Sequence, residues 1–209
     1  MRLSSPRHWL HARLFTLLPL AILLAGCATS PPTSLPSSWE DQKRHVLALE
    51  RWTAQGKIAL RNSNAAESAT LRWRQDGTDS QLKLSGPLGV GTTLIDSDGQ
   101  TMRVEQGSDV RLLDVSTPEA IFQNTGWQLP LRALPYWLRG IPSPDYPIDA
   151  LDLDEAQTTL LTLQQDGWLI SYNAYADFSG ATLPTRIVAE RDSMRLKVIV
   201  RQWRDLATL

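Results

Sequence analysis

Apolar positions along this chain fall into three regimes. A mainly apolar run from Leu14 to Ala25 follows Arg2, Arg7 and Arg13, and has the layout of a secretory signal, too short for a spanning helix. Trp39, Val46 and Leu49 then share one face of a helix that Ser37 and Glu40 open as a capping box and that runs to about Arg51. After Gly56 the period becomes two: Ile58 and Leu60; Ala69, Leu71 and Trp73 against Thr70, Arg72 and Arg74; Leu82 and Leu84 against Gln81 and Lys83. These are half-buried antiparallel strands.

Turn residues punctuate the series. Asp76-Gly77 follows one strand, Ser97-Asp98-Gly99 separates Thr92 to Ile95 from Met102 to Val104, and Gly107 precedes Val110 to Leu113, which together describe a meander. Thr117-Pro118-Glu119 reads as an N-cap, a first-turn proline and an acid, with Gly126 ending that helix. A second helix is expected from Pro130 to Gly140, with Leu131, Leu134, Trp137 and Leu138 as its apolar stripe. Strands resume at Thr159 to Gln164, Trp168 to Tyr175, Thr185 to Arg191 and Met194 to Trp203. The fold class is mainly β with an α lid (α+β): one curved antiparallel sheet whose concave face short helices cover.

Leu24-Ala25-Gly26-Cys27 closes the first apolar run as a lipobox, and Cys27 is the only cysteine in the chain. Lipidation consumes the thiol and leaves no disulfide possible, so the fold stands on its core. Ala28 follows where an aspartate would resemble an inner-membrane retention signal, so the expected destination is the periplasmic face of the outer membrane. Residues 1–26 are the signal, and 27–37 are the lipidated cysteine and a Pro- and Ser-rich tether reaching up to about 30 Å. Residues 38–209 form one domain.

Charge and chemistry narrow the function. Removing residues 1–26 takes three arginines from 21 basic side chains, leaving 18 against 22 acidic ones, a formal −4. Without a local Lys/Arg cluster, that balance argues against nucleic acid and against electrostatic attachment to anionic lipid. His45 alone remains after the signal leaves, so neither a Ser-His-Asp or Cys-His arrangement nor a His/Cys metal site is possible. Asp152, Asp154 and Glu155, and Asp96 and Asp98, read as solvated loop carboxylates rather than a calcium or glycosidase site. Gly86-Pro87-Leu88-Gly89-Val90-Gly91 has no following lysine and no helix, which excludes a phosphate cradle and leaves a tight loop with a leucine at its tip. That leucine either folds onto the core or projects.

Several segments together resemble the LolB family: the lipobox at Cys27; Ala69-Thr70-Leu71-Arg72-Trp73 to Leu82-Lys83-Leu84; Gly86-Pro87-Leu88-Gly89; Leu129-Pro130-Leu131 through Trp137-Leu138-Arg139-Gly140-Ile141-Pro142; and Tyr172 to Tyr175 with Leu183-Pro184. The resemblance covers nearly the whole chain after the signal. It implies about eleven antiparallel strands in an incomplete barrel, closed by helices over an apolar cavity that accepts acyl chains of mature lipoproteins from a LolA-like periplasmic carrier. It further implies a monomer, no enzyme, and no cofactor beyond the N-acyl and S-diacylglycerol lipid on Cys27. The Pro87-Leu88-Gly89 loop would engage outer-membrane phospholipid. For the acyl-chain cavity the inward-phase candidates are Trp73, Leu82, Leu84, Leu94 and Met102 on strands and Leu131, Leu134 and Trp137 in the lid, although a filled core uses the same residue types. Two other classes stay open: a structural or assembly lipoprotein that docks an outer-membrane complex, and a lipid or glycolipid carrier.

Overall fold

The computed structural model describes residues 37–63, 65–86, 91–125 and 129–208. The signal, Cys27 and nearly all of the tether, Gly126, and the loop residues Pro87, Leu88 and Gly89 lie outside them.

Helix α1 spans Trp39–Leu47. Its N-cap is Ser38, whose Oγ accepts from the Asp41 N–H at 3.2 Å, one residue beyond the expected Ser37–Glu40 pair. The helix stops before Arg51 because Arg51 already pairs with Asp76 and Ala207 as the first residue of a strand.

Six strands follow: β1 (Arg51–Arg61), β2 (Ala66–Asp76), β3 (Asp79–Ser85), β4 (Thr92–Ser97), β5 (Thr101–Gln106) and β6 (Asp109–Asp114). Then come α2 (Pro118–Thr125) and α3 (Leu134–Leu138), and five more strands: β7 (Ile148–Leu153), β8 (Leu160–Gln165), β9 (Trp168–Phe178), β10 (Ala181–Arg191) and β11 (Met194–Ala207). All eleven form one antiparallel sheet in the order β6-β5-β4-β3-β2-β1-β11-β10-β9-β8-β7. Each meander stays local, and the pairing of β1 with β11 joins them. β6 and β7 are the two edges, so the barrel is not closed, and the chain between them carries α2 and α3 from one edge to the other.

Three differences from the sequence expectation have local causes. β1 runs straight through Gly56, where the register with β11 shifts between Gln55 and Gly56. A Cβ at Gly56 would stand 1.8 Å from the Ile199 carbonyl oxygen, so glycine here admits close backbone approach at a bulge rather than ending a segment. α3 is five residues rather than the expected span from Pro130, which opens a turn instead. The acidic segment expected as loop contains strand β7: Asp152 lies in it and accepts from the Thr162 hydroxyl at 2.7 Å, whereas Asp154 and Glu155 lie in the turn after it as expected, Asp154 accepting from the Thr158 and Thr159 N–H groups at 2.7 and 2.9 Å. Those carboxylates fasten the edge hairpin.

The core lies on the concave face. Trp52 packs at an inclined angle against Trp73 and edge-on against Trp203 at centroid distances of 5.6 and 5.4 Å, and Trp137 inclined against Trp168 at 6.0 Å. Among the described residues, every member of the main core cluster falls between Trp39 and Leu206, so a chain beginning after Cys27 contains all of that cluster.

Candidate functional site

The concave face is not filled throughout. Between β1–β5, the end of α1 and α3 lies a cavity of about 630 Å³, within the range of ligand pockets. Its apolar wall comes from Trp52, Trp73, Leu82, Ile95, Met102 and Leu134. Period-two alternation puts these side chains on one face: Ala54, Trp73, Leu82, Ile95 and Val104 are successive cross-strand partners. Polar groups at one end satisfy each other. Gln75 Oε1 accepts from Trp73 Nε1 at 3.0 Å and from Ser80 Oγ at 2.6 Å, while Gln75 Nε2 donates to the Gly77 carbonyl at 3.0 Å. Glu50, Asp98, Arg132, Arg139 and Asp145 also line the cavity, so a guest meets hydrocarbon along the strand wall and charged groups elsewhere.

Of the eight sequence candidates, Trp73, Leu82, Met102, Leu131 and Leu134 line this cavity. Leu84 points to the same face as Leu82 but packs against the core cluster outside the lining. Trp137 is 2% exposed and belongs to the core, its ring occupied by Trp168. Leu94 is on the opposite face, opposite Lys83 and Glu105, and is 37% exposed; its neighbour Ile95 holds the cavity position. The phase of β4 differs by one residue from the expected one, which reverses the face. A smaller cavity of about 270 Å³ shares Val115, Leu131 and Arg132 with the first.

Three buried polar side chains that the sequence reading did not single out hold the lid. Gln165, fully buried, accepts at Oε1 from Trp137 Nε1 (2.8 Å) and the Ser143 N–H (3.0 Å), and donates from Nε2 to the carbonyls of Ser143 (2.9 Å) and Tyr146 (2.8 Å). The Tyr172 hydroxyl donates to the Trp137 carbonyl at 3.0 Å. Arg139 donates through Nη1 to the carbonyls of Val46 (3.0 Å) and Leu49 (2.8 Å), tying the end of α3 to the end of α1, and its guanidinium lies 5.2 Å from the Tyr136 ring centre. One signal was available for Gln165: a polar residue at the inward phase of a strand, which burial obliges to find partners.

Burial also shifts protonation. It pushes the phenols of Tyr172 and Tyr175 well above their ordinary value, and it lowers Arg139 to about 10. A raised phenol contributes stability that is complete below pH ~10 and is lost above it, as the unfolded tyrosine ionises and the folded one does not. Arg139 acts in the opposite sense above pH ~10, because the unfolded chain then holds more protons. Each group carries up to about 1.4 kcal/mol per pH unit, so two tyrosines outweigh one arginine by about that slope. Unfolding free energy measured by urea titration at rising alkaline pH is expected to fall above pH ~10. Tyr172→Phe should flatten that fall, and an unchanged slope would contradict the assignment.

Among the described residues no group of three His, Cys, Asp or Glu side chains is placed to hold a metal ion.

The family model described as outer membrane lipoprotein LolB matches residues 50–203, from the start of the sheet to its last long strand. The chain belongs to the LolB family. An outer-membrane lipoprotein LolB of Stutzerimonas stutzeri is 35% identical over 191 residues, covering 88% of this chain and 91% of the relative. One from Chromohalobacter salexigens is 33% identical over 210 residues, covering 98% and 94%. A solved LolA superfamily protein of Nitrosomonas europaea aligns over 82% of this chain and 96% of its own, at 10% identity and a TM-score of 0.46. LolB members are outer-membrane lipoproteins by description, which agrees with the destination read from the lipobox and Ala28.

Proposed function

We propose that this chain is the outer-membrane receptor that takes mature lipoproteins from a LolA-like periplasmic carrier into its cavity and incorporates them into the membrane. The observation that carries the reading is the partly empty apolar interior under α3 in a chain of the LolB family. A docking lipoprotein needs a filled sheet and an outward apolar face, and so has no use for such a space. The residues proposed to meet acyl chains are Trp73, Leu82, Ile95, Met102, Leu131 and Leu134. Cys27 is the proposed lipidation site and holds the domain at the bilayer.

Magnitudes fix the route. An acyl chain of roughly fifteen methylenes costs on the order of 12 kcal/mol to expose to water, at about 0.8 kcal/mol for each methylene. Cargo therefore passes from cavity to cavity without entering solvent. A modest affinity difference suffices to drive it, since each factor of ten is about 1.4 kcal/mol. Nucleotide is not needed.

Burying one leucine is worth about 1.5 to 3 kcal/mol, far less than the acyl chains of Cys27, so Leu88 is not the anchor. Its proposed role is to engage the bilayer where chains leave the cavity.

The test mixes residues 28–209 with a donor carrier loaded with labelled triacylated lipoprotein. Label should move to this domain without nucleotide; retention on an active donor would overturn the receptor reading, and preference for a glycolipid would make it a lipid carrier. Full-chain Leu88→Glu should accept cargo normally but release it into vesicles at least about tenfold more slowly, in line with the cost of keeping a charge out of hydrocarbon. Normal release would remove Leu88 from the mechanism.

A further inference from the structure

The lysines and arginines of this chain are scattered in sequence, but the sheet collects many of them on its convex face, and five of these matter here. Arg72 on β2 stands directly opposite Lys83 on β3. Lys57 on β1 and Arg186 on β10 both stand opposite Ile199 of β11, from its two sides, and Lys197 stands opposite Ala59. Among the described residues none of these five forms an ion pair, whereas ten other contacts join basic and acidic side chains. Like charges directly opposite each other on a sheet are unfavourable. A domain of net negative charge thus keeps a band of five cations without an ion pair, on a face that also carries the pairs Arg51–Asp76, Arg103–Glu105 and Arg195–Glu190, contrary to the expectation that it has no local cluster.

The band contains a groove of about 330 Å³. Lys57 and Lys197 are diagonal neighbours there, about 7 Å apart by sheet geometry, over a floor that includes Ala59 and Ile199. Gly86 is part of the groove's lining, and Pro87-Leu88-Gly89 follow it directly in the chain. Lysine stems over small apolar residues, with ammonium groups free to reach outward, suit a phosphate-rich interface. The lining has no tryptophan, tyrosine or phenylalanine to anchor a protein partner.

We propose that this groove and the cationic band around it form a docking surface for anionic phospholipid headgroups, with Lys57 and Lys197 contacting headgroup phosphates beside Gly86. The proposal rests on the receptor reading for its purpose, since headgroup contact turns this face of the domain toward the bilayer that receives the cargo. Its physical content is separate. The tether confines the domain near the membrane, so even weak attraction biases its orientation.

The experiment uses residues 28–209, which contain all of the main core cluster and lack the lipid, in co-sedimentation with phosphatidylcholine vesicles with and without phosphatidylglycerol, at low and high salt. Binding is expected only with phosphatidylglycerol, to weaken with salt, and to fall about fivefold for Lys57→Gln or Lys197→Gln and about 25-fold for both. Lys43→Gln, the same charge change on α1, should leave it within about twofold, and the double variant should take cargo from the carrier as the parent does. Parent-like vesicle binding by the double variant, or equal weakening by Lys43→Gln, would overturn the proposal. Loss of cargo uptake with vesicle binding intact would assign the groove to an acidic protein face instead. A parent domain that binds anionic vesicles but takes no cargo would overturn the receptor reading and support this surface.

Discussion

Ile95→Asp is expected to weaken acceptance of lipoprotein cargo at least about a hundredfold, while Leu94→Asp, one residue earlier, leaves it unchanged. Ile95 lies on the cavity wall between Leu82 and Val104, and Leu94 faces solvent on the other side of the same strand. An aspartate in the empty cavity keeps its water, so the fold survives the change at a cost of about 1–2 kcal/mol of lost apolar contact. When an acyl chain enters, that water must leave. Stripping a carboxylate without supplying a partner costs several kcal/mol, and at about 1.4 kcal/mol per decade the penalty exceeds two orders of magnitude in affinity. Equilibrium transfer of labelled lipoprotein from the carrier measures it, with thermal unfolding confirming both variants folded. Equal uptake by the two variants would show that acyl chains are held elsewhere.

Gln165→Leu is expected to lower the unfolding free energy by at least about 2 kcal/mol and to loosen the lid. The change leaves four groups facing a methyl surface: the indole N–H of Trp137, the N–H and carbonyl of Ser143, and the carbonyl of Tyr146. Each buried polar group deprived of its partner costs about 1–3 kcal/mol, and the leucine's own burial returns only about 1–2. All four groups lie between α3 and the start of β7, so the loss falls on the segment that roofs the cavity. Urea unfolding gives the first quantity. Hydrogen exchange gives the second, with residues 134–146 expected to open faster than β9 or β11. A loss under about 1 kcal/mol would mean that water takes over the glutamine's contacts and that the lid depends on Arg139 and Tyr172 instead.

Much of this molecule is legible without coordinates. The alternation in Ala69 to Trp73 and Leu82 to Leu84 gave the correct strands and the correct face, because several inward positions in a row fix the phase. Thr117 capping α2 through the Ala120 N–H at 3.1 Å followed directly from local turn chemistry. Thr92 to Ile95 was different. A segment of two threonines and two aliphatics fits either phase, and only its partners on β3 and β5 decide that Ile95 points inward. The acids of β7 looked like loop for a related reason: an edge strand pairs on one side only, and its composition is free to be polar.

What the sequence by itself determined is local: the strand and turn order, and the segments that carry the resemblance to the LolB family, with the lipobox at Cys27 as an expectation. Local patterns encode these because caps, turns and period-two alternation act over a few residues. Only the tertiary structure decided which apolar side chains surround empty space and which pack as core, since Leu82 and Leu84 have identical pattern and different surroundings. It also decided that Gln165 secures the lid from β8, and that Lys57, Arg72, Lys83, Arg186 and Lys197 share one face. Those outcomes depend on pairings between residues tens to more than a hundred positions apart, where the physical partner that fixes each side chain's role is absent from its own stretch of sequence.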